Sequence, residues 1–240
     1  MPDELIAQRK RDHLEISLND QAQIGDTYFQ KYSFTHNALP EIDFDEIDTK
    51  ITSFGQTFDY PFFISSMTGG LTQGKEINQN LINCARSYNI PMGVGSQRAA
   101  LEYDKYAQTY PTSKGAFLMA NMGAVQLNYG YDVAKYQKAI DMIQAQALIL
   151  HLNPIQEAVQ PEGDKNFKDL AQKIEKIVKN VSVPVIIKEV GFGISADVCV
   201  RLHDIGVRYI DTAGWGGTNW SFVEGQRSPK ATRLGNLFSS

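Results

Sequence analysis

Short apolar runs separated by longer amphipathic stretches organise most of this chain. Six runs occur, at residues 61–65, 91–94, 116–120, 147–152, 184–188 and 207–211. Apolar runs this short, bounded by turn residues, predict buried β-strands. Successive runs begin between 23 residues apart (184 to 207) and 37 residues apart (147 to 184), which leaves room for one helix between each pair.

Between the runs, apolar residues recur at steps of three and four, which is the spacing of one helix face. Three such faces are formed by Ile77, Leu81, Ala85 and Tyr88, by Val133, Tyr136, Ile140 and Ile143, and by Phe167, Leu170, Ala171, Ile174, Ile177 and Val178. Asp132 is placed to cap the second helix, and a fourth helix is expected to open at Ser195 and close at Gly206. Strands alternating with helices predict a parallel sheet with right-handed crossovers.

The predicted fold class is therefore α/β, a TIM (β/α)8-type barrel. A closed barrel needs eight strands, and only six apolar runs are present, with none after Asp211. We expect a single domain over residues 1–240 that contains about six βα units and lacks its C-terminal units. Ahead of them, residues 1–20 form a polar segment, 21–46 are irregular and 47–58 are extended. Four apolar residues of the irregular part are expected to pack across a barrel end: Phe29, Tyr32, Phe34 and Leu39.

Charge and apolar content exclude two classes of partner. The net charge is −4, so no broad basic field is present to attract nucleic acid. No apolar run reaches the roughly 18 residues that a membrane-spanning helix needs. Cys84 and Cys199 fall in predicted helices beside apolar residues, so we expect two buried, reduced thiols and a cytoplasmic protein.

Polar side chains cluster directly after the fourth run, in the segment HLNPIQEAVQPEGDKNF at residues 151–167. The carboxyl ends of barrel strands are where such folds present their chemistry. Glu157 supplies an oxygen ligand suited to a hard cation. His151, Asn153 and Gln156 are suited to hold an oxyanion or a proton in transit. A polar loop after a buried strand is also common without any function.

The other strand ends carry glycines, hydroxyls, amides and one lysine. They read SSMTGG, GVGSQR, NMG, KEVGFG and TAGWGGTN. Glycines let the backbone approach a flat ligand closely, and hydroxyls and amides can meet the edge of a heteroaromatic ring. Lys188, at a buried strand end, is placed to stabilise negative charge. For any one of these residues the alternative is a turn that satisfies its own backbone.

The chain resembles the type II isopentenyl-diphosphate isomerases, which are flavin-dependent TIM-barrel enzymes. The matching motifs are RKRDH (9–13), SSMTGG (65–70), MGVGSQRAALE (92–102), ANMG (120–123), HLNPIQEAVQPEGDKNF (151–167), VPVIIKEVGFGIS (183–195) and GWGGTN (214–219). The resemblance implies interconversion of isopentenyl and dimethylallyl diphosphate by a proton shift without net redox change. It implies reduced FMN, NADPH as reductant and Mg²⁺ on the diphosphate. The expected partners are a small-molecule allylic or homoallylic diphosphate and other copies of the chain in a homo-oligomer, with no nucleic acid and no membrane.

The family's site residues carry over onto matching positions. Met67, Thr68 and Gly69 are similar to the first flavin contact, and further flavin contacts are matched by Ser96, Asn121, Lys188 and Thr218. The diphosphate clamp is matched by Arg9 and Lys10 together with Ser96, Gln97 and Arg98. His151 matches the active-site histidine, Gln156 the substrate-contacting glutamine and Glu157 the magnesium ligand.

The chain departs from the family pattern after Thr218. The family's last two βα units carry glycine-rich loops of the kind that hold a cofactor phosphate at a helix N-terminus, and no such loop follows here. Two alternatives therefore stay open. One is an inactive remnant that acts as a binding or interaction module. The other is a different FMN-dependent TIM-barrel oxidoreductase, which the Gln156–Glu157 pair and the N-terminal RKRDH disfavour.

Overall fold

The computed structural model of the chain describes residues 2–19, 22, 25–227 and 229–238. The chain begins with helix α1 (Pro2–Leu18) and reaches a small antiparallel hairpin of strands β1 (Ile51–Ser53) and β2 (Gln56–Phe58). Short 3₁₀ helices occupy Phe29–Lys31 and Phe44–Glu46 on the way. The sequence predicted a polar segment for residues 1–20, so the helical structure of α1 was missed.

A five-stranded parallel sheet follows, in the same order as the chain. Its strands are β3 (Met92–Gly93), β4 (Leu118–Gly123), β5 (Ala147–His151), β6 (Val185–Lys188) and β7 (Tyr209–Asp211). The predicted strand at 61–65 is reduced to one parallel bridge between Ile64 and Met92. Pro61 has no N–H to donate, which weakens strand pairing there. In the described part of the chain the sheet does not close, so the incomplete barrel is confirmed, with five strands and a bridge.

Helices connect successive strands, and two more follow the last strand. They are α2 (Thr72–Ser87), α3 (Arg98–Glu102), α4 (Val133–Ile143), α5 (Pro154–Val159), α6 (Leu170–Asn180), α7 (Ala196–Asp204), α8 (Trp220–Arg227) and α9 (Pro229–Leu237), with 3₁₀ turns at Asp104–Thr109 and Ala124–Asn128. The four predicted helices are confirmed as α2, α4, α6 and α7. Asp132 caps α4 through the N–H of Lys135, and Ser195 caps α7 through the N–H of Val198. The α8–α9 pair was not predicted.

Both faces of the sheet are buried, which explains why its strands read as continuous apolar runs. Leu118, Ala120, Leu148, Leu150 and Ile187 belong to the large cluster that packs beneath the helices. The alternate residues face the opposite way, into a second cluster of Phe58, Phe117, Met119, Ala147, Ile149 and Ile186. Packing on both faces of the sheet therefore fixes the orientation of each strand, and this determines where each strand ends.

Two packing predictions were wrong. Phe29 is 76% exposed and Phe34 is fully exposed, so the aromatic segment does not pack across a barrel end within the described structure. Cys84 is exposed and Cys199 only half-buried, although both are free thiols on helices as predicted. No helix in the described part of the chain has the length and apolarity needed to cross a bilayer.

Candidate functional site

A cavity of about 220 Å³ lies at the carboxyl ends of the parallel strands. One side, called here the strand-end wall, is formed by the polar residues at and just past the strand ends: Ser66, Met67, Thr68, Gly69, Ser96, Asn121, His151, Lys188 and Val190. The other side, called the helical cover, is contributed by α1, α5 and Trp220 at the start of α8. Twelve of the fourteen site residues predicted from the sequence line this one cavity.

The sheet register sets neighbouring groups side by side in the wall. His151 pairs with Lys188, and Lys188 with Asp211, at equivalent positions of adjacent strands. Gly95 lies so close to the backbone of Thr68 that a Cβ there would fall 2.4 Å from the Thr68 carbonyl oxygen. The sequence GVGSQR thus needs glycine at this position to let the two strand-end loops meet.

Ser66 gives the wall an unsatisfied polar atom. Its Oγ is buried and has no hydrogen-bond partner among the described residues. Because buried hydroxyls are normally paired, this atom marks a position where a ligand group or water is expected. Thr68, Ser96 and Asn121 lie along the same cavity and add hydroxyl and amide groups to it.

His151 is held in one tautomer. Its Nδ1 lies 2.8 Å from Oδ1 of Asn121, and since a carbonyl oxygen can only accept, Nδ1 carries the proton. Burial, followed by the positive charges of Lys188 and Lys10, lowers the pKa of His151 to about 3. The imidazole is therefore neutral at physiological pH, with Nε2 as an acceptor.

Lys188 is a buried ammonium at the end of β6. Its Nζ donates to the carbonyl oxygen of Glu189 at 2.7 Å and lies 3.7 Å from a carboxylate oxygen of Asp211. Burial lowers the pKa of Lys188, while Asp211 and Glu189 oppose that effect. The two acidic residues favour the charged form of Lys188 and so act against the effect of desolvation at the wall.

Glu157 on α5 is 7% exposed and fixed by two hydrogen bonds. One oxygen accepts from Nδ2 of Asn153 at 3.0 Å, and the other from the N–H of Asp164 at 2.7 Å. Burial raises the pKa of Glu157, and these hydrogen bonds oppose the rise. The side-chain oxygen of Asn153 is buried beside it without a partner among the described residues. The donor set here is oxygen only, as Mg²⁺ prefers.

The cationic groups of the site reach it from two directions. Arg98 forms ion pairs with Asp164 at 2.5 Å and Glu102 at 3.0 Å. Lys10 extends from α1 and donates to the carbonyl oxygens of Gly69 at 2.5 Å and Ser96 at 3.4 Å. Burial, with the neighbouring charge of Arg9, lowers the pKa of Lys10 to about 7. The N-terminal cluster is thus part of the cavity rather than a solvated face.

A network that the sequence did not reveal joins the helices of the cover. Glu224 on α8 is fully buried, and its carboxylate lies 2.8 Å from His13 and 2.6 Å from Arg227 and accepts from Gln156 at 3.0 Å. Burial alone would raise the pKa of Glu224, but its hydrogen bond to His13 and the nearby charges lower it to about 2. Glu224 and His13 are 211 positions apart, so no local spacing pointed to their pairing.

Two predicted site residues lie off the cavity wall. Gln97 is fully buried, with its amide donating to the carbonyl of Ala139 and accepting from the N–H of Asn121. It therefore supports β4 from behind the wall. Thr218 lies beside the loop after β6, where a Cβ on Gly191 would come 3.3 Å from its carbonyl oxygen.

The cavity is smaller than the roughly 300–1,000 Å³ typical of cofactor and ligand pockets. Because α1 supplies one side of the cavity, a displacement of α1 would enlarge it.

Solved structures with a similar fold indicate the class of protein. A mandelate oxidase mutant with an FMN adduct matches at a TM-score of 0.52 and 14% identity, over 85% of this chain and 66% of that one. A second mandelate oxidase structure, with benzoyl-formic acid, matches at 0.50 and 14%, over 95% of this chain and 75% of that one. The family profile described as FMN-dependent dehydrogenase matches residues 12–119. The fold is thus the α/β-barrel type of the FMN-dependent enzymes.

Sequence similarity defines the family within that class. Isopentenyl-diphosphate delta-isomerases of Nostoc sp., Synechocystis sp. and Oceanobacillus iheyensis are 47%, 49% and 46% identical over 96%, 91% and 93% of this chain. The chain belongs to the isopentenyl-diphosphate delta-isomerase family. It spans 68%, 64% and 65% of the length of these three relatives.

Proposed function

We propose that this chain carries the site of an enzyme that interconverts isopentenyl and dimethylallyl diphosphate. The observation that carries the proposal is the convergence of His151, Lys188 and Glu157 on one cavity with the cations of α1. Relatives 46–49% identical bear the isomerase name, whereas the mandelate oxidases share only 14% of residues. A 2-hydroxy-acid oxidoreductase is therefore the less favoured function.

FMN fits the groups that the strand-end wall offers. Thr68, Ser96 and Asn121 supply hydroxyl and amide groups to a polar ring edge, and Ser66 Oγ is free to accept or donate a hydrogen bond. Lys188 supplies a positive charge that would stabilise an anionic reduced flavin. Reduced FMN, when bound, would supply an electron-rich ring and acid–base groups to the reaction.

Magnesium and the substrate diphosphate fit the carboxylate and the cations that α1, α3 and α5 bring to the cavity. Mg²⁺ is commonly held by one or two carboxylates together with water and substrate phosphate oxygens. Glu157 would be its protein carboxylate. Arg9, Lys10 and Arg98 would meet the remaining diphosphate charge, which this acidic protein can neutralise only with local cations.

The reaction adds one proton to the terminal alkene carbon and removes another from the allylic carbon, so substrate and product have the same oxidation state. His151, neutral and fixed by Asn121, presents an acceptor nitrogen to the cavity. Gln156 is oriented by its hydrogen bond to Glu224 and is placed to position the substrate. The helical cover would exclude water while the proton moves.

Three further assignments complete the proposal. NADPH would act as the reductant that keeps the flavin reduced. Assembly into a homo-oligomer is supported by the exposed Phe29, Tyr32 and Phe34. A cytoplasmic location is supported by the two free thiols.

Proton NMR in D₂O tests the proposal directly. The purified chain is incubated with isopentenyl diphosphate, FMN, NADPH and Mg²⁺, beside a full-length relative as positive control. We expect dimethylallyl diphosphate to form with deuterium incorporated from solvent, and formation to stop on addition of EDTA. Turnover by the relative and none by this chain would contradict the proposal for this polypeptide.

A further inference from the structure

Glu189, immediately after Lys188, makes an unusual set of contacts. One oxygen of its carboxylate accepts from three successive backbone N–H groups, those of Val190 at 2.7 Å, Gly191 at 2.7 Å and Phe192 at 2.6 Å. The side chain is buried, with the residue 6% exposed. Successive N–H groups that converge in this way form an anion-binding nest, and here the protein fills the nest with its own carboxylate.

The backbone of the same residue is tied to two neighbours. Its N–H donates to the carbonyl of Asp211 on β7 at 3.1 Å. Its carbonyl oxygen accepts from Nζ of Lys188 at 2.7 Å. The Glu189 carbonyl and the Val190 N–H belong to the same peptide group, and this N–H is the first donor of the nest. The hydrogen bond from Val190 therefore also fixes the direction of the Glu189 carbonyl.

The loop after Glu189 needs this support. Gly191 has φ of +141° and Gly193 of +85°, conformations that a glycine adopts at an entropic cost on folding. Val190 of this loop lines the cavity. The nest, the loop after it and the hydrogen bond from Lys188 to the Glu189 carbonyl therefore form one unit at the end of β6.

We propose that Glu189 is a positioning residue for Lys188. Its carboxylate binds the N–H groups of residues 190–192 and so fixes the direction of the Glu189 carbonyl. That carbonyl, through its hydrogen bond, holds the Lys188 ammonium toward the cavity. The role of Lys188 toward a flavin rests on the function proposed above, but its orientation by Glu189 does not. Charged or titratable groups that face Lys188 are Glu189, Asp211 and His151.

Amine labelling of Lys188 tests this inference without flavin or turnover. Wild type, Glu189→Gln and Glu189→Ala are treated with an amine-modifying reagent over a range of pH, and the labelled peptides are quantified by mass spectrometry. Loss of the carboxylate removes a charge that favours the ammonium and frees the loop. We expect Lys188 in Glu189→Ala to react faster than in wild type near neutral pH, because more of it is then the free amine and the loop no longer holds it in place.

Controls separate positioning from general loosening. Lys173 donates to the Leu127 carbonyl and the Asn128 side chain, away from the nest, and its labelling rate in the same digest should not change. Glu189→Gln keeps an acceptor oxygen and should react at an intermediate rate. Acetate should restore protection in Glu189→Ala by refilling the nest, whereas sodium chloride at equal ionic strength should not.

The outcomes are decisive in both directions. Unchanged Lys188 labelling in folded Glu189→Ala overturns the inference, and so does faster labelling that Lys173 shares. If Glu189→Ala does not fold by circular dichroism, Glu189→Gln decides: a faster rate supports the inference and an unchanged rate overturns it. If the chain has no isomerase activity but Lys188 is labelled faster in the variant, the proposed function is wrong and the positioning role stands. If the chain is active but labelling is unchanged, the positioning role is wrong and the proposed function stands.

Discussion

The strand-end wall and the helical cover face the same cavity but are held in different ways. The wall is fixed by sheet register, which sets His151 beside Lys188 and Lys188 beside Asp211. The cover is held by buried side-chain ion pairs and hydrogen bonds that meet at Glu224. We expect the two sides to differ in how far they stabilise the fold. Loss of the buried Glu224 carboxylate in the cover should destabilise the protein more than loss of a wall side chain such as Lys188.

Replacing Glu224 in the helical cover should destabilise the protein strongly. Glu224→Ala removes the buried carboxylate that pairs with His13 and Arg227 and accepts from Gln156, and breaking a buried pair costs about 3–5 kcal/mol. Urea unfolding measures the loss. The control is Glu175→Gln, which removes the exposed pair with Lys179 and should cost about 0–1 kcal/mol. Equal losses in the two variants would contradict the division of roles.

Lys188→Ala is the matching change in the wall. We expect a fall in turnover of about 10²–10³, the range for loss of one preorganised electrostatic group. Stability should fall less than in Glu224→Ala, because Asp211 is partly exposed and lies 3.7 Å from the Lys188 ammonium, so its carboxylate can be solvated when Lys188 is removed. Kinetics with reduced FMN and the urea midpoint are measured on the same preparation. Loss of stability as large as that of Glu224→Ala would show that the wall is structural.

The division between the two sides also explains what the sequence could and could not predict. The apolar runs gave β3 to β7 and hence the wall, because a buried parallel sheet leaves a continuous apolar signature. Ser195 and Asp132 were recognised because an N-cap is a local interaction. Glu224 was missed because two of its partners, His13 and Gln156, are distant in sequence and α8 follows a glycine-rich segment. Gln97 matches a family motif, yet its amide serves the backbone of β4, which no residue pattern distinguishes from a ligand contact.

Glu157 lies on α5 of the helical cover and lines the cavity, so Glu157→Gln tests its proposed role as a Mg²⁺ ligand. The neutral amide oxygen is a much weaker ligand than the carboxylate, so the Mg²⁺ concentration for half-maximal activity should rise about tenfold or more. In wild type, burial raises the pKa of Glu157. Protons therefore compete with Mg²⁺ at higher pH than at an ordinary glutamate, and the magnesium requirement should increase as the pH falls. A magnesium titration unaffected by the substitution would remove Glu157 as a ligand.

A comparison of two threonines should give the smallest effect. Thr68 lines the cavity, while Thr218 lies beside Gly191 and off the wall. Thr68→Val should weaken FMN binding by roughly the value of one hydrogen bond, about 0.5–1.5 kcal/mol. Thr218→Val should change FMN affinity less. Quenching of flavin fluorescence measures both, and a stronger effect of Thr218→Val would place the flavin nearer α8 than proposed.

The strand-end wall and the helical cover are proposed to enclose one site for a flavin and a magnesium diphosphate. A crystal structure of the chain grown with FMN, Mg²⁺ and pyrophosphate would show whether they do. We expect a flavin ring against Thr68, Asn121 and Lys188, Mg²⁺ on Glu157, and α1 displaced from its present position. Flavin bound elsewhere, or Mg²⁺ and pyrophosphate bound away from Glu157 and Arg98, would mean that the cavity is not this site.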